Sequence, residues 1–160
     1  MKFRIVNIDI NTKNFVVDYI CRNWGTSIVV TRGKIHNVAE LCGFVALVEG
    51  EVKGIITYNI ENNECEIVSL DSLCDNFGIG SALIERVVIE ATANGCERVW
   101  LITTNDNTHA LRYYQKRGFD LVSIHRNAID ESRKIKPQIP LIGFDGIPII
   151  HEIELEKLLW

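Results

Sequence analysis

A chain of 160 residues with 47% hydrophobic and 24% charged residues has the makeup of one soluble globular domain, long enough to bury roughly 68–70% of its unfolded surface. No apolar run approaches the 18 or so residues of a membrane span, and the N-terminus lacks the apolar core and cleavage site of a signal peptide, so a cytoplasmic protein with no membrane partner is expected. The net charge of −4 argues against a nucleic-acid partner and suits a cationic small substrate. Five widely spaced cysteines without a CxxC pair, and four scattered histidines, are expected to be reduced thiols and isolated imidazoles, with no metal site.

In chain order, residues 2–8 alternate like a strand. Residues 11–24 carry Phe15, Val16, Tyr19, Ile20 and Trp24 at helical spacing, and Gly25 stops the helix. Residues 27–41 are mixed, a strand-like IVV followed by polar, turn-rich TRGKIHN. Residues 43–48 and 52–60 read as two strands joined through Glu49-Gly50-Glu51. Another turn at Glu61-Asn62-Asn63 leads into a strand over 65–73. Links this short require antiparallel pairing, since a parallel crossover needs a dozen residues or more. After Gly78-Ile79-Gly80, the apolar positions Ile79, Leu83, Ile84, Val87, Val88 and Ala91 share one helical face that ends at Gly95. A strand over 98–104, a helix over 108–117 capped by Asn107, and a strand over 119–125 follow. Residues 128–136 predict a short helix ended by Pro137. Pro140 and Pro148 keep the next stretch extended but unpaired. Residues 149–158 alternate Ile153 and Leu155 with Glu152, Glu154 and Glu156, as an exposed edge strand would.

The segment 64–83, ECEIVSLDSLCDNFGIGSAL, is the most informative. A strand runs through a short loop and two glycines into an amphipathic helix. That arrangement lets backbone N–H groups at the positive end of a helix dipole approach an anion, and it suits a phosphate or pyrophosphate. A dinucleotide-binding oxidoreductase is disfavoured: Leu83 occupies the third glycine position of its fingerprint, and antiparallel strands precede the loop.

Two signatures resemble the GNAT superfamily of acetyl-CoA-dependent N-acetyltransferases. The first is the Arg/Gln-x-x-Gly-x-Gly/Ala loop, read here as Asp75-Asn76-Phe77-Gly78-Ile79-Gly80. The second, Asn-x-x-Ala-x-x-x-Tyr-x-x-x-Gly-Phe, is matched by Asn107, Ala110, Tyr114, Gly118 and Phe119. The resemblance covers residues 43–125 well and the flanks in element order, and the tail is similar to a bacterial subgroup of the superfamily. It implies an α/β fold with a mixed sheet, an antiparallel meander followed by β-α-β-α-β around a central splayed sheet. One such domain would span residues 1–160, with an extension at 126–148 before the last strand.

The resemblance also implies roles for individual residues. The backbone amides of Phe77, Gly78, Ile79, Gly80 and Ser81 would hold the coenzyme A pyrophosphate. The strand edge at Leu70, Asp71 and Ser72 would pair with the pantetheine arm, which Asn107 would also hydrogen-bond. Tyr114 would protonate the leaving thiolate. Glu66 is the candidate base that neutralises the attacking amine, by analogy with the histone-acetyltransferase branch, which has a Glu-Ile-Val on this strand; Asp71 is its competitor. Asp75 departs from the pattern, placing a carboxylate where the superfamily has Arg or Gln. Arg112 or Lys116 are candidates to supply the missing positive charge.

The expected activity is transfer of an acetyl group from acetyl-CoA, a cosubstrate, to a primary amine by direct attack in a ternary complex. A non-catalytic acyl-CoA-binding or sensing module of the same fold is the alternative. The acceptor would be a small-molecule or peptide amine. His36, with Arg32 and Lys34, is a candidate for the acceptor side, against a solvated loop. The apolar C-terminal strand with Leu158, Leu159 and Trp160 would suit a homodimer.

Overall fold

The computed structural model describes residues 2–74 and 77–160. A helix α1 (Lys13–Trp24) follows a short strand β1 (Arg4–Asn7). Asp9 starts the helix, its carboxylate accepting the N–H groups of Asn11 and Thr12. Gly25 ends it in the left-handed conformation, φ 82°, donating its N–H to the Cys21 carbonyl. The mixed segment after α1 resolves into a hairpin of β2 (Ile28–Thr31) and β3 (Lys34–Asn37), a two-stranded sheet of its own. Its turn is Arg32-Gly33, both at positive φ, which matches the twist of the two strands.

The main sheet continues with β4 (Cys42–Val48), β5 (Glu51–Glu61) and β6 (Glu64–Ser72), an antiparallel meander as the short links require. Both links are two-residue turns at positive φ, Glu49-Gly50 and Asn62-Asn63. Helix α2 (Ile79–Ala93) crosses to β7 (Arg98–Thr104), which pairs parallel with β6. Helix α3 (Thr108–Gln115), strand β8 (Asp120–His125), helix α4 (Ala128–Ile135) and strand β9 (Glu152–Leu158) complete the chain.

The seven strands are ordered β1-β4-β5-β6-β7-β9-β8. Strand β9 is therefore not an edge. It inserts between β7 and β8, antiparallel to both, so the glutamate face expected in solvent is covered. Glu152 and Glu154 are only 1% and 4% exposed. The exposed edge is β8 instead, where Leu121, Val122 and Ile124 face solvent.

Apolar side chains cover both faces of the sheet, which is why β4 and β5 read as continuous hydrophobic runs. On one face Phe44, Ile56, Cys65, Val99 and Leu155 pack under the Leu83, Ile84 and Val87 stripe of α2. On the other, Val45, Ile55 and Val68 pack under Val16 and Ile20 of α1. Each fully buried side chain of this size contributes about 1.5–3 kcal/mol.

One irregularity shapes the molecule. The β5–β6 register slips where Thr57 faces Ser69 but Tyr58 faces Ile67, so Val68 is an extra residue in β6. Such a bulge bends its strand. Pairing of β6 with β7 stops at Ile67 and Leu101, although β6 runs on to Ser72 and β7 to Thr104. The two strands splay, and among the described residues the β6 edge over residues 69–72 has no strand paired to it on the β7 side.

Candidate active site

The splayed edge of β6 leads directly to the start of α2. Leu70 leans into the α2 face of the core. Ser72 turns the chain out of the strand, its hydroxyl donating to the Cys74 carbonyl over 2.8 Å. Asp75 and Asn76 lie outside the described residues. Phe77 is half exposed, and Gly78 caps α2 with φ 75°, a conformation that favours glycine. Ile79 is buried in the core, so it can serve a ligand only through its backbone. The first-turn amides of an α-helix have no acceptor inside the helix, and here they sit at the end of the splayed edge.

Gly80 has a different reason to lack a side chain. A Cβ there would lie 2.1 Å from the Tyr113 hydroxyl of α3. The second glycine therefore serves the docking of α3 on α2, a requirement that the spacing of the motif does not reveal. Ser81 in turn accepts a hydrogen bond from Arg117 Nε at 2.9 Å.

Asn107 caps α3, its side chain accepting the Ala110 N–H at 3.0 Å. That bond uses only the carbonyl oxygen, and among the described residues the side-chain amide donors have no acceptor. Tyr114 sits two helix turns further, edge-on to both Tyr113 and Phe119. Burial pushes its hydroxyl well above the ordinary tyrosine value, the nearby Tyr113 and Asp71 add to the rise, and Arg117 opposes it. Tyr114 is thus a proton donor that keeps its proton at neutral pH.

Asp71 lies on the splayed half of β6, opposite Ile55. Among the described residues its buried Oδ2 has no hydrogen-bond partner, and burial pushes the carboxyl up to about 6. It also raises the hydroxyl of Tyr19 on α1, after the effect of burial there. Asp71 therefore faces Tyr19 and Tyr114 from the strand that splays.

Glu66 lies on the paired half of the same strand, opposite Asn59 and Trp100. It is not on a solvated strand face: only 3% of it is exposed. Thr31 donates to its Oε2 at 2.7 Å, and His36 Nε2 lies 3.1 Å from its Oε1 and from Thr31 Oγ1. Glu66 also lines a cavity of about 130 Å³ with Lys34, Asn59, Glu61, Glu64 and Trp100. His36 is thus a buried partner of Glu66, while Arg32 and Lys34 reach other carboxylates, Glu154 and Glu61.

The polar face continues across β9. Glu152 accepts the Arg32 backbone N–H, and burial raises its carboxyl. Burial would raise Glu154 too, but hydrogen bonds from Arg98 and His125 outweigh it and hold the carboxyl low. Arg98 bridges Glu64, Glu154 and Glu156 at 2.7–3.0 Å and lies over the Trp100 ring. Sequence reasoning missed this lattice. The Arg-Gly turn inside TRGKIHN is the signal that predicts the hairpin supplying Thr31 and His36.

A splayed parallel pair opening onto a glycine-capped helix start, with the partly buried Tyr114 near Asp71, defines the class of protein. Residues 15–119 match the Acetyltransferase (GNAT) family. The chain belongs to that family. It is 42% identical over 148 residues to the uncharacterized protein YdhI of Bacillus subtilis, covering 92% of each chain. It is 29% identical over 118 residues to human N-alpha-acetyltransferase 30, covering 67% of this chain and 32% of that protein. The fold is shared with a Bacillus subtilis acetyltransferase in complex with CoA, at TM-score 0.72 and 18% identity, over 99% and 100% of the two chains. It is shared also with a GNAT acetyltransferase from Elizabethkingia anophelis with acetyl-CoA bound, at TM-score 0.70 and 21% identity, over 98% of each.

Proposed function

We propose that the chain is an acetyl-CoA-dependent N-acetyltransferase acting on a primary amine by direct transfer. The observation that carries this reading is the splay of β6 from β7. It leaves the strand edge at Leu70, Asp71 and Ser72 open to an extended ligand, ends at the amides of residues 77–81, and brings Asp71 near Tyr114. The pantetheine arm would add to β6 like a strand, with Asn107 donating to it, and the pyrophosphate would sit on the first turn of α2. CoA and acetyl-CoA in relatives of the same fold support this assignment.

The amine nitrogen attacks the thioester carbonyl. Backbone N–H groups of the open β6 edge stabilise the oxyanion. The C–S bond breaks, and the thiolate takes the proton of Tyr114, whose raised pKa keeps that proton available. The proton lost by the amine restores Tyr114 through a base or water. Glu66 is the proposed base, held in place by Thr31 and His36. One observation favours Asp71 instead: its buried oxygen has no partner among the described residues, and a carboxyl near 6 accepts a proton close to neutral pH.

Coenzyme release from acetyl-CoA should be followed against a panel of primary amines with wild type, Tyr114→Phe, Glu66→Gln and Asp71→Asn. The reading requires turnover on at least one amine and its loss in Tyr114→Phe. Binding of CoA without turnover on any amine would identify the non-catalytic alternative.

A further inference from the structure

We propose that Arg117 is a phosphate-binding residue for the coenzyme, held beside the first turn of α2 by Ser81 and Tyr113. The inference rests on the reading of that turn as the coenzyme site and adds a residue that the loop motif does not contain.

Arg117 lies two residues beyond the end of α3. Its Nε donates to Ser81 Oγ at 2.9 Å, and its Nη1 donates to the Tyr113 carbonyl at 2.9 Å. The guanidinium lies over the Tyr113 ring, 3.4 Å from the centroid. Tyr113 is itself pressed against Gly80, with no room for a Cβ between them. A fixed stack therefore runs from the α2 backbone through Tyr113 to a charged guanidinium. Among the described residues no carboxylate neutralises that charge, and the second terminal nitrogen has no acceptor.

A planar fork with a fixed orientation suits phosphate better than a flexible ammonium does. Here it stands beside the orphan amides of a helix N-terminus, so both would act on one anion. This is the charge that an Arg in the superfamily's loop would bring, supplied instead from a position 36 residues after Ser81. Arg112 and Lys116, the cations considered from sequence, have no such contact with the α2 start among the described residues.

The test is titration of wild type and Arg117→Gln with CoA and with pantetheine, which lacks the phosphates. Arg117→Gln is expected to weaken CoA binding about tenfold and to leave pantetheine binding unchanged. Equal weakening for both ligands, or none for either, overturns the proposal, because a purely structural staple would act on both alike. A measurement on the native chain covers the case of a variant that fails to fold. The Arg117 Nε resonance should shift with CoA and with inorganic pyrophosphate but not with pantetheine, and its failure to do so refutes the assignment. Failure of wild type to bind CoA at all overturns the coenzyme reading itself, a distinct outcome.

Discussion

Burial acts on two residues of the candidate cleft, Tyr114 and Asp71, in different ways. Tyr114 is kept protonated, so its removal should affect the chemical step more than binding. Tyr114→Phe is expected to lower kcat about 100-fold with little change in KM for acetyl-CoA, measured by coenzyme release. For Asp71 the effect of burial falls on stability. Its carboxyl moves from 3.8 to about 6 on folding, so the native state holds an extra proton between those values. The associated stabilisation is full below about pH 4 and lost as pH rises through 6. Asp71→Asn should therefore gain up to about 3 kcal/mol relative to wild type at pH 8 and nothing at pH 4. Thermal melts of both proteins across that range check this; an equal offset at every pH refutes it. Glu66 differs in having two partners on its carboxylate, Thr31 and His36, and neither was visible as a neighbour in sequence.

At the scale of elements, the docking of α3 on α2 depends on a missing side chain. Gly80→Ala places a methyl group against the Tyr113 hydroxyl, and overpacking of this kind costs about 1–3 kcal/mol. The double variant with Tyr113→Phe should recover part of that loss, a non-additivity that denaturant melts would detect. The β9 lattice makes the opposite kind of demand. Arg98 serves three glutamates, and Glu154 is almost fully buried beside it. Arg98→Met leaves a buried carboxylate short of its main partner and is expected to cost about 3 kcal/mol. The helices, the meander and the glycine turn were legible because each rests on local periodicity or turn chemistry, as with Gly25 and Glu49-Gly50. The hairpin β2–β3 was not, because four-residue strands have too few positions to establish alternation.

At the scale of the molecule, the last strand completes the sheet from within. An edge strand can be lost with local damage, whereas removal of β9 separates β7 from β8 and uncovers Leu155 in the core. A chain ending at residue 148 should lose cooperative unfolding altogether, followed by near-ultraviolet circular dichroism. Retention of a sharp transition would mean that β8 can close on β7 unaided. The route to β9 is itself tied down. Asn105 accepts the N–H groups of Ile150 and His151, and Arg133 donates to the carbonyls of Pro140 and Ile149. The segment at 126–148, expected as an extension, thus holds the final strand in register.

The amino-acid sequence by itself determined the helices, the antiparallel meander and the glycine turn into α2, because hydrophobic period, loop length and glycine placement act over a few residues. It also determined the family, since two signatures at a set separation are sequence properties. Only the tertiary structure decided that β9 enters the sheet, that its glutamates are buried with Arg98, and that Arg117 reaches the start of α2. Those outcomes rest on contacts between residues 27 (His125 with Glu152) to 122 positions apart, where the partner of a charge is set by packing and not by its neighbours in the chain. Alternating Glu and Ile reads the same on an exposed edge and in a strand whose charges are paired; the difference lies in what packs against it.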